Sequence, residues 1–453
     1  MDIKPEEVGA LLLSCAYYFF VLASYYILRP IRDEVAVFSG VRTLPFLFTG
    51  TLILMLLAHP PFAALVSKLP RKRFVSITYR FFAANLLIFF ALLKWAPESA
   101  NIWIGRGFYW WVSVFNLFVV SVFWAFMADV FRNEQGKRIF GFMAMGGTLG
   151  AIAGAATTAS LVQHIGPVYL ILISVVLLEF AVWCVHALSR RSAMSGRTSP
   201  EETGIRVGGL PETEPGRGYS PKPDRAAEEP IGGGVLAGFA QVFRSPYLLG
   251  IGGYMLLYTI IATFLYFQQT AIVEQSISDR AVRTAFFAKI DLAVNVLAIF
   301  TQAFLTGRFI KWLGVAVTLA ILPAICVLGF SGLGVWQFLG VLVVFQTLRR
   351  AGNYAVARPT REVLYTVVTR EEKYKAKNLI DTFVYRGGDQ VGAWFYGGML
   401  WLGVGMSALA FLAVPICGVW LAVGYWLGRR QEVLARGQAR GDLAARPAPA
   451  AAT

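Results

Sequence analysis

Long apolar runs separated by short polar breaks set the pattern of this chain. A helix needs about 20 mostly apolar residues to cross a bilayer. Runs of that kind lie at 8–28, 44–66, 74–95, 108–128, 139–162 and 168–188. They resume at 246–270, 284–306, 314–331, 335–357, 379–402 and 407–428. The pattern predicts an all-α membrane protein of about twelve transmembrane helices in two six-helix bundles. Residues 189–238, between the two sets, are rich in Gly, Pro, Ser, Arg and Glu and poor in large apolar side chains. They read as a disordered cytoplasmic linker. The expected organisation is a first bundle at 1–188, the linker at 189–238, a second bundle at 239–430 and a disordered cytoplasmic tail at 431–453.

The loop cations set an orientation, because cytoplasmic loops carry an excess of Lys and Arg. Basic clusters fall on alternate loops: Lys68/Arg71/Lys72/Arg73, Arg132/Lys137/Arg138, Arg190/Arg191 and Arg308/Lys311. The loop after the tenth run adds Arg358, Arg361, Arg370, Lys373, Lys375 and Lys377. Both termini are therefore expected in the cytoplasm. The acidic start (Asp2, Glu6, Glu7) lacks a short apolar region with a cleavage site, so no cleaved signal peptide is expected.

Composition agrees with a lipid-facing surface: 57% of residues are hydrophobic and 15% charged, against about a quarter charged in soluble domains. The net charge of +15 does not indicate nucleic acid, because the cations sit in short loops rather than along one basic face. Cys15, Cys184, Cys326 and Cys417 each fall inside an apolar run and read as small packing residues. Three scattered histidines, His59, His164 and His186, give no metal-ligand spacing. No cofactor or metal is expected.

Charge inside a membrane helix costs at least about 2.5 kcal/mol on insertion scales, so it faces a cavity or a partner. Arg29 and Arg32, with Asp33 and Glu34 beside them, close the first run at its outer end. Lys289 and Asp291 lie in the outer part of helix 8, with Asn295 one turn on. Arg386 and Asp389 lie three apart in helix 11, on one face. Arg80, Glu179, Arg349, Arg350 and Asn353 complete the set. Each has a plain alternative: Arg80, Arg349 and Arg350 snorkel to the cytoplasmic interface, Arg29 and Arg32 anchor a helix end, and Arg386 with Asp389 is a structural ion pair. The functional reading makes Arg29, Arg32, Lys289, Asn295, Arg386 and Asp389 an anion site, since guanidinium forks hold phosphate or carboxylate at two points. Tyr17, Tyr18, Tyr25 and Tyr26 offer stacking surface. Asp33, Asp291 and Glu179 are candidates for coupling, with a proton as the coupling ion. Arg358 and Arg361 with Asp129 and Glu134 are expected to form inward-side gates.

A weak internal repeat relates the halves: Gly-Gly-Thr-Leu-Gly-Ala at 146–151 and Gly-Gly-Asp-Gln-Val-Gly-Ala at 387–393 both sit in the fifth helix of their half. Tyr-Tyr-Ile-Leu-Arg-Pro-Ile-Arg-Asp at 25–33, Phe-Trp-Ala-Phe at 123–126 and Lys-Ala-Lys-Asn-Leu-Ile-Asp at 375–381 resemble motifs of the ATP/ADP translocase family of plastids and obligate intracellular bacteria, distant relatives of the major facilitator superfamily. Residues 307–314, Gly-Arg-Phe-Ile-Lys-Trp-Leu-Gly, resemble a degenerate form of the basic loop motif of major facilitators. The resemblance implies a major-facilitator-like fold with a central site worked by alternating access, and nucleotide exchange as one function. It places the family's helix 1 lysine on Arg32, which keeps the charge. The family's helix 11 lysine falls on Asp389, a reversal, and its helix 4 glutamate has no counterpart between Val112 and Asn116. A cation lost there weakens polyphosphate binding, so a divergent member with another substrate is expected.

The functional expectation is a secondary transporter in a bacterial cytoplasmic membrane, its substrate an organic anion and in its sharpest form a nucleotide-like metabolite. The alternative is a proton-coupled exporter of a drug or metabolite. A membrane enzyme or a scaffold stands behind both, because the chain shows no P-loop, Gly-x-Ser-x-Gly or His-rich loop and no folded soluble domain.

Overall fold

A computed structural model describes residues 5–68, 71–131, 133–198 and 242–444. Among them six helices form each half. The first half holds α1 (Pro5–Phe38), α2 (Leu44–Lys68), α3 (Arg71–Trp95), α4 (Glu98–Val130), α5 (Asn133–Ile165) and α6 (Pro167–Thr198). The second begins with α7 (Pro246–Ser276), α8 (Arg280–Phe304) and α9 (Thr306–Val335). Next, α10 runs through Leu339–Gly352, a π turn at Asn353–Ala357 and Arg358–Leu364. Similarly α11 runs through Arg370–Leu379, a π turn at Ile380–Val384 and Tyr385–Trp401, and α12 is Met406–Ala444. Exposed large apolar side chains such as Leu56, Phe81, Trp103 and Leu328 cover the outside, a surface suited to lipid.

Local chemistry accounts for several helix starts. Ser245 accepts the N–H of Leu248 ahead of Pro246, and Asp279 accepts that of Val282 at 2.8 Å. Thr369 and Glu372 form a reciprocal capping box at the start of α11. Ten of the described helices are long and apolar enough to cross a bilayer unaided. The exceptions, α10 and α11, carry their charges and π turns beside the central cavity.

Three expected boundaries move. The first helix does not end near Arg29: it continues through Pro30 to Phe38, because Arg29, Arg32, Asp33 and Glu34 all find partners within the protein. The sixth helix continues to Thr198, so the first ten residues of the expected linker are helical, and its residues 199–238 lie outside the described residues. The tail from 431 is helical as far as Ala444, tied down by side chains. Glu432 accepts the N–H groups of Val315 (3.1 Å) and Ala316 (3.4 Å), and Gln438 donates to the carbonyl of Val367 (3.2 Å). The first of these ties explains the 307–314 segment. At Gly314 the backbone is left-handed (φ 73°), which breaks α9 and exposes two N–H groups to Glu432.

The glycine repeat marks equivalent contacts in the two halves. In α5 a Cβ at Gly150 would overlap the carbonyl of Phe19 on α1, with Gly146 and Gly154 one turn away on the same face. In α11 a Cβ at Gly388 would overlap Thr259 on α7. Backbones approach this closely in a membrane where small residues line the contact.

Candidate functional site

The ends carrying the chain termini are called here the near end, and the opposite the far end. Polar links between the halves gather at the far end. Glu34 of α1 takes two hydrogen bonds from Arg280 of α8, Nε–Oε1 at 2.9 Å and Nη2–Oε2 at 3.0 Å. Tyr266 of α7 donates to Asp33 of α1 at 3.2 Å, and Thr49 of α2 donates to Gln390 of α11 at 3.0 Å. Trp394 donates in turn to Thr49 at 3.0 Å.

On the near side of these links lies a cavity of about 510 Å³ between the halves. A smaller chamber of about 160 Å³ shares several of its wall residues. Helical spacing builds the walls: Leu22, Tyr25/Tyr26, Arg29 and Arg32 form one stripe of α1, and Tyr258, Ala262 and Tyr266 one stripe of α7. The π turn of α10 places Asn353 and Tyr354 on the wall, and the helix beyond it adds Arg358 and Arg361. From α11 come Tyr385, Arg386, Asp389 and Gln390. Single-turn π bulges are frequent at functional sites, and here both flank the cavity.

The two spaces together are lined by Arg29, Arg32, Arg349, Arg350, Arg358, Arg361 and Arg386. Against these stand Asp33, Asp291 and Asp389, which leaves four positive charges in excess. Asp291 of α8, 1% exposed, is shared by Arg29 across the halves (3.4 Å) and Arg350 of α10 (2.6 Å). Asp33 pairs with Arg32 at 2.7 Å and with Arg29 at 4.0 Å. Asp389 pairs with Arg386 at 3.6 Å and accepts from Thr263 at 3.4 Å. Arg349 donates to Gln346, which donates to Gln269. Among the described residues no carboxylate lies within ion-pair distance of Arg358; Arg361 lies against the sulfur of Met255 and over Tyr258. Seven tyrosines, Tyr25, Tyr26, Tyr109, Tyr258, Tyr266, Tyr354 and Tyr385, share these walls. Arg32 stacks over Tyr109 and Arg29 over Tyr26.

Of the residues expected to bind substrate, Arg29, Arg32, Arg386 and Asp389 line the cavity. Lys289 does not: it is exposed on α8 and turned from both spaces. Nor does Asn295, which is buried and donates to the carbonyl of Asp291 at 2.8 Å. Of the expected gating and coupling residues, Asp33 and Asp291 line the small chamber and Arg358 and Arg361 the large cavity. Glu179 lies outside both, on α6, and pairs with Arg80 of α3 at 3.7 Å. The side chains of Asp129 and Glu134 lie outside the described residues. Tyr17 is not a cavity residue either: it is buried and donates to Tyr79 at 2.8 Å. Tyr18 stacks on Phe123 instead. Arg349 and Arg350 do not snorkel, because α10 continues past them to Leu364 and leaves both buried among polar partners.

The family model of the Major Facilitator Superfamily matches residues 10–360, most of the chain. The chain belongs to the Major Facilitator Superfamily and is a multi-pass membrane transporter. Within that class its curated relatives include ADP,ATP carrier protein 1 of Chlamydia muridarum (strain MoPn / Nigg), 24% identical over 268 residues. That match covers 52% of this chain and 50% of the carrier. ADP,ATP carrier protein 2 of Chlamydia pneumoniae is 22% identical over 218 residues, 42% of this chain and 40% of that one. The chain thus aligns with about half the length of these relatives, or less, and is a divergent relative of them. Two solved structures share the fold across almost the whole chain. A bacterial homologue of the human lysosomal transporter Spinster, inward-facing and unoccupied, has a TM-score of 0.54 at 14% identity, covering 99% of this chain and 100% of that one. An auto-inhibited POT family peptide transporter has 0.57 at 12%, covering 98% and 99%.

Proposed function

We propose that this protein is a secondary transporter of organic anions in a bacterial cytoplasmic membrane. A nucleotide-like metabolite is the sharpest form of that reading. The observation that carries it is the excess of arginine in a cavity between the halves. Charge of one sign in a cleft with low-dielectric walls concentrates the opposite ion. Guanidinium groups grip phosphate or carboxylate at two points. Tyrosine faces on the same walls suit a flat group, and the relatives named as ADP,ATP carriers are consistent with one.

The mechanism follows as alternating access. With both termini cytoplasmic, the links at Glu34–Arg280, Asp33–Tyr266 and Thr49–Gln390 close the periplasmic end. Substrate then enters from the cytoplasm and meets Arg358 and Arg361 before Arg29, Arg32 and Arg386. As the far end opens, Arg358 and Arg361 swing to partners on the first half and close the near end. Asp129 and Glu134 are the sequence's candidates for those partners. A second reading has one specific support: Asp389 puts an acid on the cavity wall where the carriers' motif has a cation, as a proton-coupled exporter requires.

A thermal-shift screen of the purified protein separates the two. The panel is nucleotides, sugar phosphates, organic acids and cationic drugs. Mass action raises the melting temperature for a ligand of the folded state. Stabilisation by anions that is lost in both Arg32→Ala and Arg358→Ala supports the proposal. Stabilisation by cationic compounds alone, blocked in Asp389→Asn, overturns it in favour of the exporter.

A further inference from the structure

The membrane-facing side of the first half carries charge that transport through the cavity does not use. On α6, Glu179, Trp183, His186 and Arg190 are spaced by four, three and four residues and so share one face. Together with Arg80 of α3 they line a groove of about 530 Å³. Exposed Ile77, Phe81, Phe180 and Trp183 surround it, so the groove opens toward lipid. Arg80 and Glu179 are 61% and 49% exposed there, 3.7 Å apart. Ionised groups in a bilayer are strongly unfavourable unless they are paired or reach a polar layer. A single pair does not satisfy this set. Glu179 takes one edge of Arg80 and leaves its remaining N–H groups, and the guanidinium of Arg190, facing the groove.

We propose that this groove binds a glycerol-headed anionic phospholipid from the leaflet at the near end. Two arginines against one carboxylate leave one positive charge in excess, which matches the single negative charge of a phosphodiester. Helical side chains lean toward their own helix's N-terminus. For α3 that is the near end, so Arg80 leans toward the level of Arg190 and the lipid phosphate. Glu179 lies about 16 Å along α6 from Arg190, below the headgroup, and steadies Arg80. His186 defines the headgroup. Its Nδ1 lies 2.8 Å from the carbonyl of Val182, and a carbonyl only accepts, so Nδ1 carries the proton. Neutral His186 then presents Nε2 as an acceptor, suited to a glycerol hydroxyl rather than to a choline or an ammonium. Basic pockets between membrane helices with an aromatic at the rim are suited to anionic headgroups.

The test is native mass spectrometry of the full-length, detergent-solubilised protein with phosphatidylglycerol and phosphatidylcholine of identical acyl chains. The wild type is expected to retain phosphatidylglycerol at least tenfold better. Arg190→Ala should erase that preference, and His186→Phe should lower it while leaving phosphatidic acid binding in place. Because Arg80→Ala strands Glu179 and risks misfolding, the paired change R80M/E179M is the second variant, and it too should lose the preference. Equal retention of both lipids by the wild type overturns the proposal. So does a preference unchanged in both Arg190→Ala and R80M/E179M. Full competition by millimolar inorganic phosphate would make the groove a soluble-anion site, and a lipid-free dimer lost in R80M/E179M would make it a contact between copies; either result also overturns it.

Discussion

Arg280→Ala tests whether the far-end link sets the balance between the two faces of the transporter. Glu34 is 1% exposed and takes both its strong hydrogen bonds from Arg280, which also lies over Phe38. Breaking a buried ion pair by removing one partner costs about 3–5 kcal/mol. Arg280 is 40% exposed, so water screens part of that interaction, and about 1.5 kcal/mol is the sound expectation. The cost falls on the arrangement in which the far end is closed, because opening hydrates Glu34. The closed-to-open ratio should therefore fall about tenfold, 1.4 kcal/mol being one factor of ten. Double electron–electron resonance reads this as a longer distance between spin labels at Trp103→Cys and Leu402→Cys. Both positions are exposed at the far end, one on each half, and the four native cysteines would be replaced first. Glu34→Gln removes the charge that must be hydrated and should shift the distribution less. An Arg280→Ala distribution that matches the unmutated one would refute the reasoning.

Other outcomes follow from named contacts. Asp389→Asn removes one of three carboxylates facing the cavity and should tighten binding of a multivalent anion about fivefold, about 1 kcal/mol for one screened charge at close range; titration calorimetry measures it. Gly150→Leu drives a side chain into the carbonyl of Phe19 and should cost about 1–3 kcal/mol, read as a lower melting temperature. Gly141→Ala, which meets nothing within 4 Å, is its control and should leave the melting temperature unchanged or raise it. Glu432→Ala strips the acceptor from the N–H groups of Val315 and Ala316 and should cost about 1 kcal/mol, the usual size of a lost helix cap.

Twelve apolar runs gave away the helices because each must satisfy its backbone alone in lipid, which makes hydrophobic length a direct readout of a span. Side-chain partners are not written that way. Arg29 and Arg32 looked like a helix end because a window of hydropathy stops at charge, whereas Asp291 on α8 and Asp33 beside them let the helix run on. Arg349 and Arg350 looked like interface residues for the same reason, their partners lying on α1, α7 and α8. Lys289 and Asp291 are two apart and so on different faces; one fell into the cavity and the other outside it. Tyr258 and Tyr266 were within reach of pattern reading, since an eight-residue spacing is one face of a helix, but the chain is so rich in tyrosine that the spacing alone did not single them out.

The two π turns have a consequence for how such a cavity changes over generations. Each holds one residue more than an α-helical turn needs, so losing a single residue from Asn353–Ala357 restores ordinary helix and turns everything after it by about 100°. Arg358 and Arg361 would then leave the cavity wall with their identities unchanged. The same holds for Ile380–Val384 and the residues from Tyr385 to Gln390. Here the angular phase of a helix decides which letters of the sequence a substrate meets. A one-residue deletion can change selectivity more than any replacement of an arginine.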